Sequence, residues 1–168
     1  MSEAPARLHS FEQLLAVLDH DQVLHQTDLA AQTVSVPTRR AQGEGLMVMR
    51  WQDREGVLQL VHALPLVVPD GSVAAIESAI TRLNHALALP GFGLDHENRR
   101  LYFRAVLPIT AGGVSPADVQ ALFRAMVRTS LDLLPPLRRV LDGNATPEGV
   151  VVDASIELTM SAPGGPLL

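Results

Sequence analysis

Apolar residues recur every three or four positions in three stretches of the chain, which predicts three amphipathic helices with one buried face each. The first helix follows Ser10, which forms a capping box with Gln13. The second follows Ser72 and ends at Pro90-Gly91, and the third follows Ser115. Each predicted helix therefore begins at a residue whose side chain can accept a hydrogen bond from a free backbone N–H.

Prolines and a glycine bound the third helix and the segment after it. Pro116 takes the favoured first position, where the N–H that proline lacks would have no helical partner in any case. Pro135-Pro136 interrupts the helix, because proline cannot donate a hydrogen bond in a helix interior. The following residues predict one or two further turns that end at Gly143.

Alternation of apolar and polar residues predicts two single strands. Residues 29–37 form a strand that ends at Pro37, because proline cannot donate to a neighbouring strand. A loop follows over residues 38–45. Residues 150–160 predict a last, half-buried strand, and residues 161–168 predict a frayed tail.

Two long apolar runs predict a hairpin across the four-residue loop at residues 53–56. This loop sets Leu46 opposite Ala63 and Val48 opposite Val61. One face of the hairpin is apolar apart from His62, so that face is expected to meet the core. His62 is then expected to be a core histidine whose ring nitrogens have hydrogen-bond partners.

A second hairpin contains the densest group of polar residues in the sequence. A four-residue loop, residues 96–99, sets the opposite charges of Asp95 and Arg100 across from each other. It also sets Gly93 opposite Tyr102, an aromatic side chain that can cover a strand glycine. Turn and strand roles therefore account for these residues, and no catalytic cluster is predicted among them.

These elements predict one α+β domain over residues 1–168, with its core at residues 10–143. The order is α-β-β-β-α-β-β-α-β, with helices packed on one face of a twisted, mainly antiparallel sheet of five to six strands. The other face would expose apolar side chains beside arginine and tyrosine, which is typical of a protein interface. The predicted partner-binding residues are Leu46, Val48, Arg50, Val57, Gln59, Val61, Tyr102, Arg104 and Val106. The alternative is that a terminal strand or helix of the chain covers this face.

Composition narrows the possible chemistry. The 168 residues include no cysteine, and all 13 basic residues are arginine, which excludes disulfides, thiolate ligands and lysine Schiff bases. The net charge is −5, and the arginine pairs at residues 39–40, 99–100 and 138–139 are not interleaved with aromatics, which argues against direct nucleic-acid binding. No apolar run approaches the ~18 residues of a membrane span, and no secretory signal is visible, so a cytoplasmic protein is expected.

No motif predicts a catalytic residue, a cofactor or a metal. His20 and His25 are five residues apart around a helix end, whereas a zincin has two histidines four apart with an intervening glutamate. A small-molecule or metal-binding enzyme that uses these histidines and His62 stays open as an alternative. A regulator that acts near nucleic acid through the arginine pairs is a second alternative.

The run from residue 46 to residue 141 resembles the YbjN-like family, through the end of the second helix, the turn at residues 89–92 and the strand at residues 101–104. Its signature residues are Asn84, Pro90, Gly91, Phe92, Gly93, Tyr102, Phe103 and Arg104. The fold of that family is similar to that of type III secretion chaperones, which are usually dimeric and hold an extended partner segment on an apolar surface. The resemblance implies a homodimeric, non-enzymatic, chaperone-like adaptor or regulatory protein with a partner protein. The strand at residues 150–160 would be an addition to that fold.

Overall fold

A computed structural model describes residues 6–87 and 91–160, without the side chains of residues 156–160. A 3₁₀ turn at Asp70–Ser72 precedes the second helix. The helices and strands are α1 (Phe11–His20), β1 (Gln26–Asp28), β2 (Thr33–Arg40), β3 (Gly43–Gln52), β4 (Val57–Val67), α2 (Val73–Ala86), β5 (Phe92–Asp95), β6 (Arg100–Pro108), α3 (Pro116–Asp132), α4 (Leu134–Leu141) and α5 (Val150–Met160).

The strands form one antiparallel, six-stranded sheet in the order β1-β2-β3-β4-β6-β5, which confirms the predicted α+β fold class. The first predicted hairpin has its predicted register, with Leu46 opposite Ala63. The second hairpin also pairs as predicted, with Gly93 opposite Tyr102. Because side chains alternate along a strand, this register decides which residues face the helices and which face away.

The helices pack on one face of the sheet. Helix α3 lies across β2, β3, β4 and β6 and contacts α4 and α5, and α2 packs against α4, α5 and β5. Phe11, Trp51 and Phe103 are among the largest fully buried side chains and join α1, β3 and β6 to the same core. No helix within the described residues is long and apolar enough to cross a membrane.

The first predicted strand is wrong in its bounds. A short strand β1 precedes it, and β2 continues through Pro37 to Arg40, so the predicted loop at residues 38–45 shrinks to a turn. Strand β1 pairs only with residues 33–35 of β2. Among the residues that the structure describes, Pro37 therefore lies where β2 has a neighbouring strand on one side only, an edge position that tolerates a residue without an N–H.

The predicted strand at residues 150–160 is also wrong, because this segment is helix α5. Val150 and Ala154 are buried, and a spacing of four places two residues on one side in a strand and in a helix alike. Asp153 lies in the first turn, where a carboxylate favours a helix, and pairs with Arg139 of α4 at 3.4 Å. The predicted tail at residues 161–168 lies outside the described residues.

The predicted caps have different outcomes. Ser10 accepts a hydrogen bond from the Gln13 N–H at 3.4 Å, which confirms the first helix start, although the Gln13 side chain accepts from the backbone N–H of His9 instead of Ser10. Ser72 and Ser115 precede α2 and α3, but neither makes a side-chain cap hydrogen bond within the described residues. Both serines therefore occupy the predicted N-cap positions, without the side-chain hydrogen bond.

The predicted Asp95–Arg100 charge pair has its backbone register but no close ion pair among the described residues. The Asp95 carboxylate instead accepts hydrogen bonds from the backbone N–H groups of Glu97 and Asn98, each at 3.0 Å. The Asn98 side chain also donates to it, and these bonds lower the pKa of Asp95 below its usual value. Asp95 therefore stabilises the hairpin loop.

Candidate functional site

The nine predicted partner-binding residues all lie on the sheet face that points away from the helices, hereafter the outer face. Three neighbouring strands, β3, β4 and β6, supply them. Val48, Val61 and Arg104 form one row across these strands, and Arg50, Gln59 and Val106 form the next. The outer face consists of Leu46, Val48, Arg50, Val57, Gln59, Val61, Tyr102, Arg104 and Val106.

No element within the described residues covers the outer face. Leu46 and Val106 are 41% and 45% exposed, whereas the valines between them are half-buried by their neighbours on the sheet. Helix α5, which occupies the place of the predicted last strand, packs against α2 and α4 on the opposite side. This terminal element therefore leaves the outer face open to solvent.

Tyr102 lies over Gly93 at one side of the outer face. A Cβ atom at Gly93 would lie 2.4 Å from the Cζ atom of the Tyr102 ring, a distance that real contacts do not reach. Only glycine at this position lets the ring lie across β5, as the pairing predicts. The glycine thus fixes an aromatic side chain beside the apolar rows.

Two exposed arginines flank the apolar rows. Arg50 lies on β3, where its Nε atom is 3.5 Å from the hydroxyl of Thr33. Arg104 lies two strands away on β6, and its backbone N–H donates to the carbonyl of Gly91 at 3.0 Å. The described residues place no carboxylate within 4 Å of either guanidinium. The outer face thus offers apolar, aromatic and cationic groups together.

The other signature residues close the edge of the sheet at β5. The side chain of Asn84 donates to the carbonyl of Phe92 at 2.8 Å and accepts from the Phe92 N–H at 2.7 Å, as a neighbouring strand would. A Cβ atom at Gly91 would lie 1.8 Å from the Asn84 oxygen, so glycine is needed there. The rings of Phe92 and Phe103 meet edge to face, 4.8 Å apart. Pro90 lies outside the described residues.

His62 is fully buried between the sheet and α3. One ring nitrogen lies 2.7 Å from the Thr38 hydroxyl, and the other lies 2.6 Å from the Ser130 hydroxyl, which itself donates to the carbonyl of Met126. Burial lowers the pKa of His62 to about 4, so the ring is neutral near pH 7. A neutral ring that donates to Ser130 and accepts from Thr38 satisfies all these groups, which confirms the expected core histidine.

The remaining candidate histidines lie at the end of α1. His20 lies 3.0 Å from the Asp21 carboxylate, and the His25 ring bonds the carbonyl of Val23 at 2.8 Å. In the part of the chain that the structure describes, no group of three or more His, Cys, Asp or Glu side chains could hold a metal ion. The metal-enzyme alternative therefore has no ligand set among these residues.

The arginine pairs do not form a basic stripe, because a carboxylate lies close to at least one member of each. These contacts are Arg39 with Glu44, Arg40 with Asp132, Arg99 with Asp70, and Arg139 with Asp153. Arg40 reaches a fully buried carboxylate on α3 at 3.3 Å, and Arg128 approaches the same carboxylate at 3.9 Å. These arginines thus have partners within the fold.

Comparison with known proteins gives a family and a fold. Residues 10–139 match the model of the YbjN family, described as "Putative bacterial sensory transduction regulator". A crystal structure of YbjN from E. coli, described as "a putative transcription regulator", aligns with a TM-score of 0.54 and 11% identity, over 76% of this chain and 87% of that chain. At this identity the likeness concerns the fold alone. No curated protein matches the chain.

Proposed function

This chain belongs to the YbjN family, and on that premise we propose that it is a non-enzymatic, chaperone-like regulatory protein that binds a partner protein through its outer face. The descriptions of the family and of the E. coli protein, a sensory transduction regulator and a transcription regulator, agree with a regulatory role. The proposal extends to a cytoplasmic homodimer, which the resemblance to secretion chaperones favours.

The outer face, which no described element covers, carries this proposal. An apolar surface rimmed by polar groups is typical of an interaction site, and arginine and tyrosine are enriched among the residues that dominate binding energy. Val48 and Val61 lie opposite each other at the centre of this face, with Arg104 next in the row. A partner would bury the valines and place acceptors against the arginine.

The edges of the sheet favour contact with the face over addition of a strand. Asn84 already bonds both backbone groups of Phe92 on β5. At the opposite side, Pro37 offers no N–H beyond the end of β1. An extended partner would therefore meet an occupied Phe92 at one edge and a missing donor at Pro37 near the other, and we expect side chains of the outer face to carry the recognition.

Affinity capture from the native cell, followed by binding of the purified pair, tests the proposal. The double variant Val48→Asp/Val61→Asp places two carboxylates in the apolar centre and should weaken binding more than tenfold. The matched control is Leu24→Asp/Leu29→Asp, which also replaces two apolar side chains by carboxylates, at residues that are 78% and 69% exposed and do not belong to the outer face. This control should bind like the original protein.

Circular dichroism and thermal unfolding must show that each variant is folded. If the valine variant does not fold, Arg104→Glu serves in its place, because this exposed side chain has no core contacts to lose. Unchanged partner binding by a folded Val48→Asp/Val61→Asp protein would show that the outer face is not the binding surface. Equal loss in the control variant would show a general effect of charge.

A further inference from the structure

A groove that the proposed function does not use lies between α1 and α3. Leu14 and Leu18 of α1 form one wall, and Val119 and Phe123 of α3 form the other, at the spacings that place residues on one side of a helix. Met49 of β3 lines the groove as well. The two apolar helix faces thus leave a space between them that no residue described by the structure fills.

The size and lining of this groove suit a small molecule. Its volume is about 470 Å³, and ligand pockets typically span roughly 300–1,000 Å³ with mostly apolar walls and a few polar groups. Leu18 and Phe123 are only half-buried, so a ligand between them would remove further apolar surface from water. The walls therefore favour an elongated apolar body.

Some polar side chains of the groove already have hydrogen-bond or charged partners among the described residues, and others have none there. The Asp21 carboxylate accepts a hydrogen bond from the Gln120 side chain at 2.8 Å and lies 3.0 Å from the His20 ring. Arg124 follows Gln120 by one helical turn and is exposed at the groove. Within the described residues, no carboxylate lies within 4 Å of its guanidinium. The groove therefore presents an arginine whose guanidinium can pair with an anionic group of a ligand.

We propose that the groove between α1 and α3 binds a small molecule with an elongated apolar body and one anionic end, which lies beside Arg124. A carboxylate suits this position, because the planar guanidinium matches its two oxygens. Asp21 lies on the same groove and would repel an anion at its own position, so the charged end is directed towards Arg124. This inference is independent of the outer face.

Decanoate tests the charge and the apolar body together, with decanol and decyltrimethylammonium as probes of the same chain length. Each is titrated into the ¹⁵N-labelled full chain, the two ionic probes below their micelle concentrations and decanol below its solubility limit. Decanoate should bind most tightly and shift the amide signals of α1 and α3. Arg124→Gln should weaken decanoate about two- to fivefold, the range expected for an exposed ion pair, and leave decanol unchanged.

Leu18→Asp places a carboxylate in the apolar wall and should weaken decanoate more than tenfold. Ala16→Asp is the matched control, because Ala16 is exposed on the same helix and does not line the groove. Leu18→Ser replaces Leu18→Asp if the latter does not fold. Equal binding of decanol and decanoate, signal changes confined to the outer face, or no binding at all would overturn the proposal. A dimer whose contact closes the groove, seen as self-association that Leu18→Asp abolishes, would overturn it too.

Discussion

Replacement of Gly91 by alanine should destabilise the domain through its contact with Asn84. The added Cβ would lie 1.8 Å from the side-chain oxygen of Asn84 and 2.4 Å from its Cγ, so the amide must move away from Phe92. Gly91 does not have the left-handed backbone that disfavours alanine. The obstacle to alanine at this position is therefore the Asn84 side chain.

The expected loss of stability follows from the two hydrogen bonds that the Asn84 amide makes with the backbone of Phe92. Each net bond contributes about 0.5–1.5 kcal/mol, so Asn84→Ala should lower the free energy of unfolding by about 2 kcal/mol. Gly91→Ala loses the same bonds and adds strain, for a total of about 3 kcal/mol. In Asn84→Ala/Gly91→Ala the clash is absent, and the expected loss is again about 2 kcal/mol.

Urea unfolding of the three variants and the original protein, followed by circular dichroism, measures this coupling. The double variant should be about as stable as Asn84→Ala alone, far from the sum of the single losses. In a domain of this size each kcal/mol shifts the melting temperature by about 2–4 °C, which gives a second readout. If the loss in the double variant equals the sum of the two single losses to within about 0.5 kcal/mol, the reasoning is refuted, because independent sites are additive in that way.

Two further predictions concern the buried polar residues His62 and Asp132. The pKa of His62 is about 4 when folded and 6.5 ordinarily, so between these values the unfolded chain binds more protons and stability rises with pH. Through this group the free energy of unfolding should fall by about 3 kcal/mol from pH 7.5 to pH 4. Urea titrations of His62→Gln should lack this contribution. The same pH dependence of stability in both proteins would contradict the prediction. Arg40→Ala leaves buried Asp132 facing Arg128 at 3.9 Å and should cost about 3 kcal/mol. Arg39→Ala, which removes an exposed pair, should cost under about 1 kcal/mol by the same assay, and equal losses would contradict this reasoning.

The sheet was predictable where the information is local. A four-residue loop fixes which residues pair, and alternation fixes which face they occupy, so the register from Leu46 opposite Ala63 onward followed directly. The composition of the outer face follows from the same register. The position of His62 in the core was predictable too, whereas its partner Ser130 was not, because 68 residues separate them.

The failures arise where the deciding contact is distant in sequence. Nothing near Pro37 reveals that β1 ends before it and leaves that side of β2 without a partner. In α5, Val150 and Ala154 satisfy both the strand period and the helix period, and packing against α2 and α4 decides between them. The groove at Arg124 was missed for the same reason, since it depends on how closely α1 approaches α3.

Asn84 and Pro37, near the two sheet edges, affect how the protein behaves at high concentration. Open sheets with a free edge can add copies of themselves strand by strand and grow into fibrils. Here Asn84 occupies the backbone groups of Phe92 at one side, and Pro37 interrupts the row of donors at the other. At these two positions a further strand would lack backbone partners, so both features oppose strand-by-strand polymerisation while the outer face stays apolar.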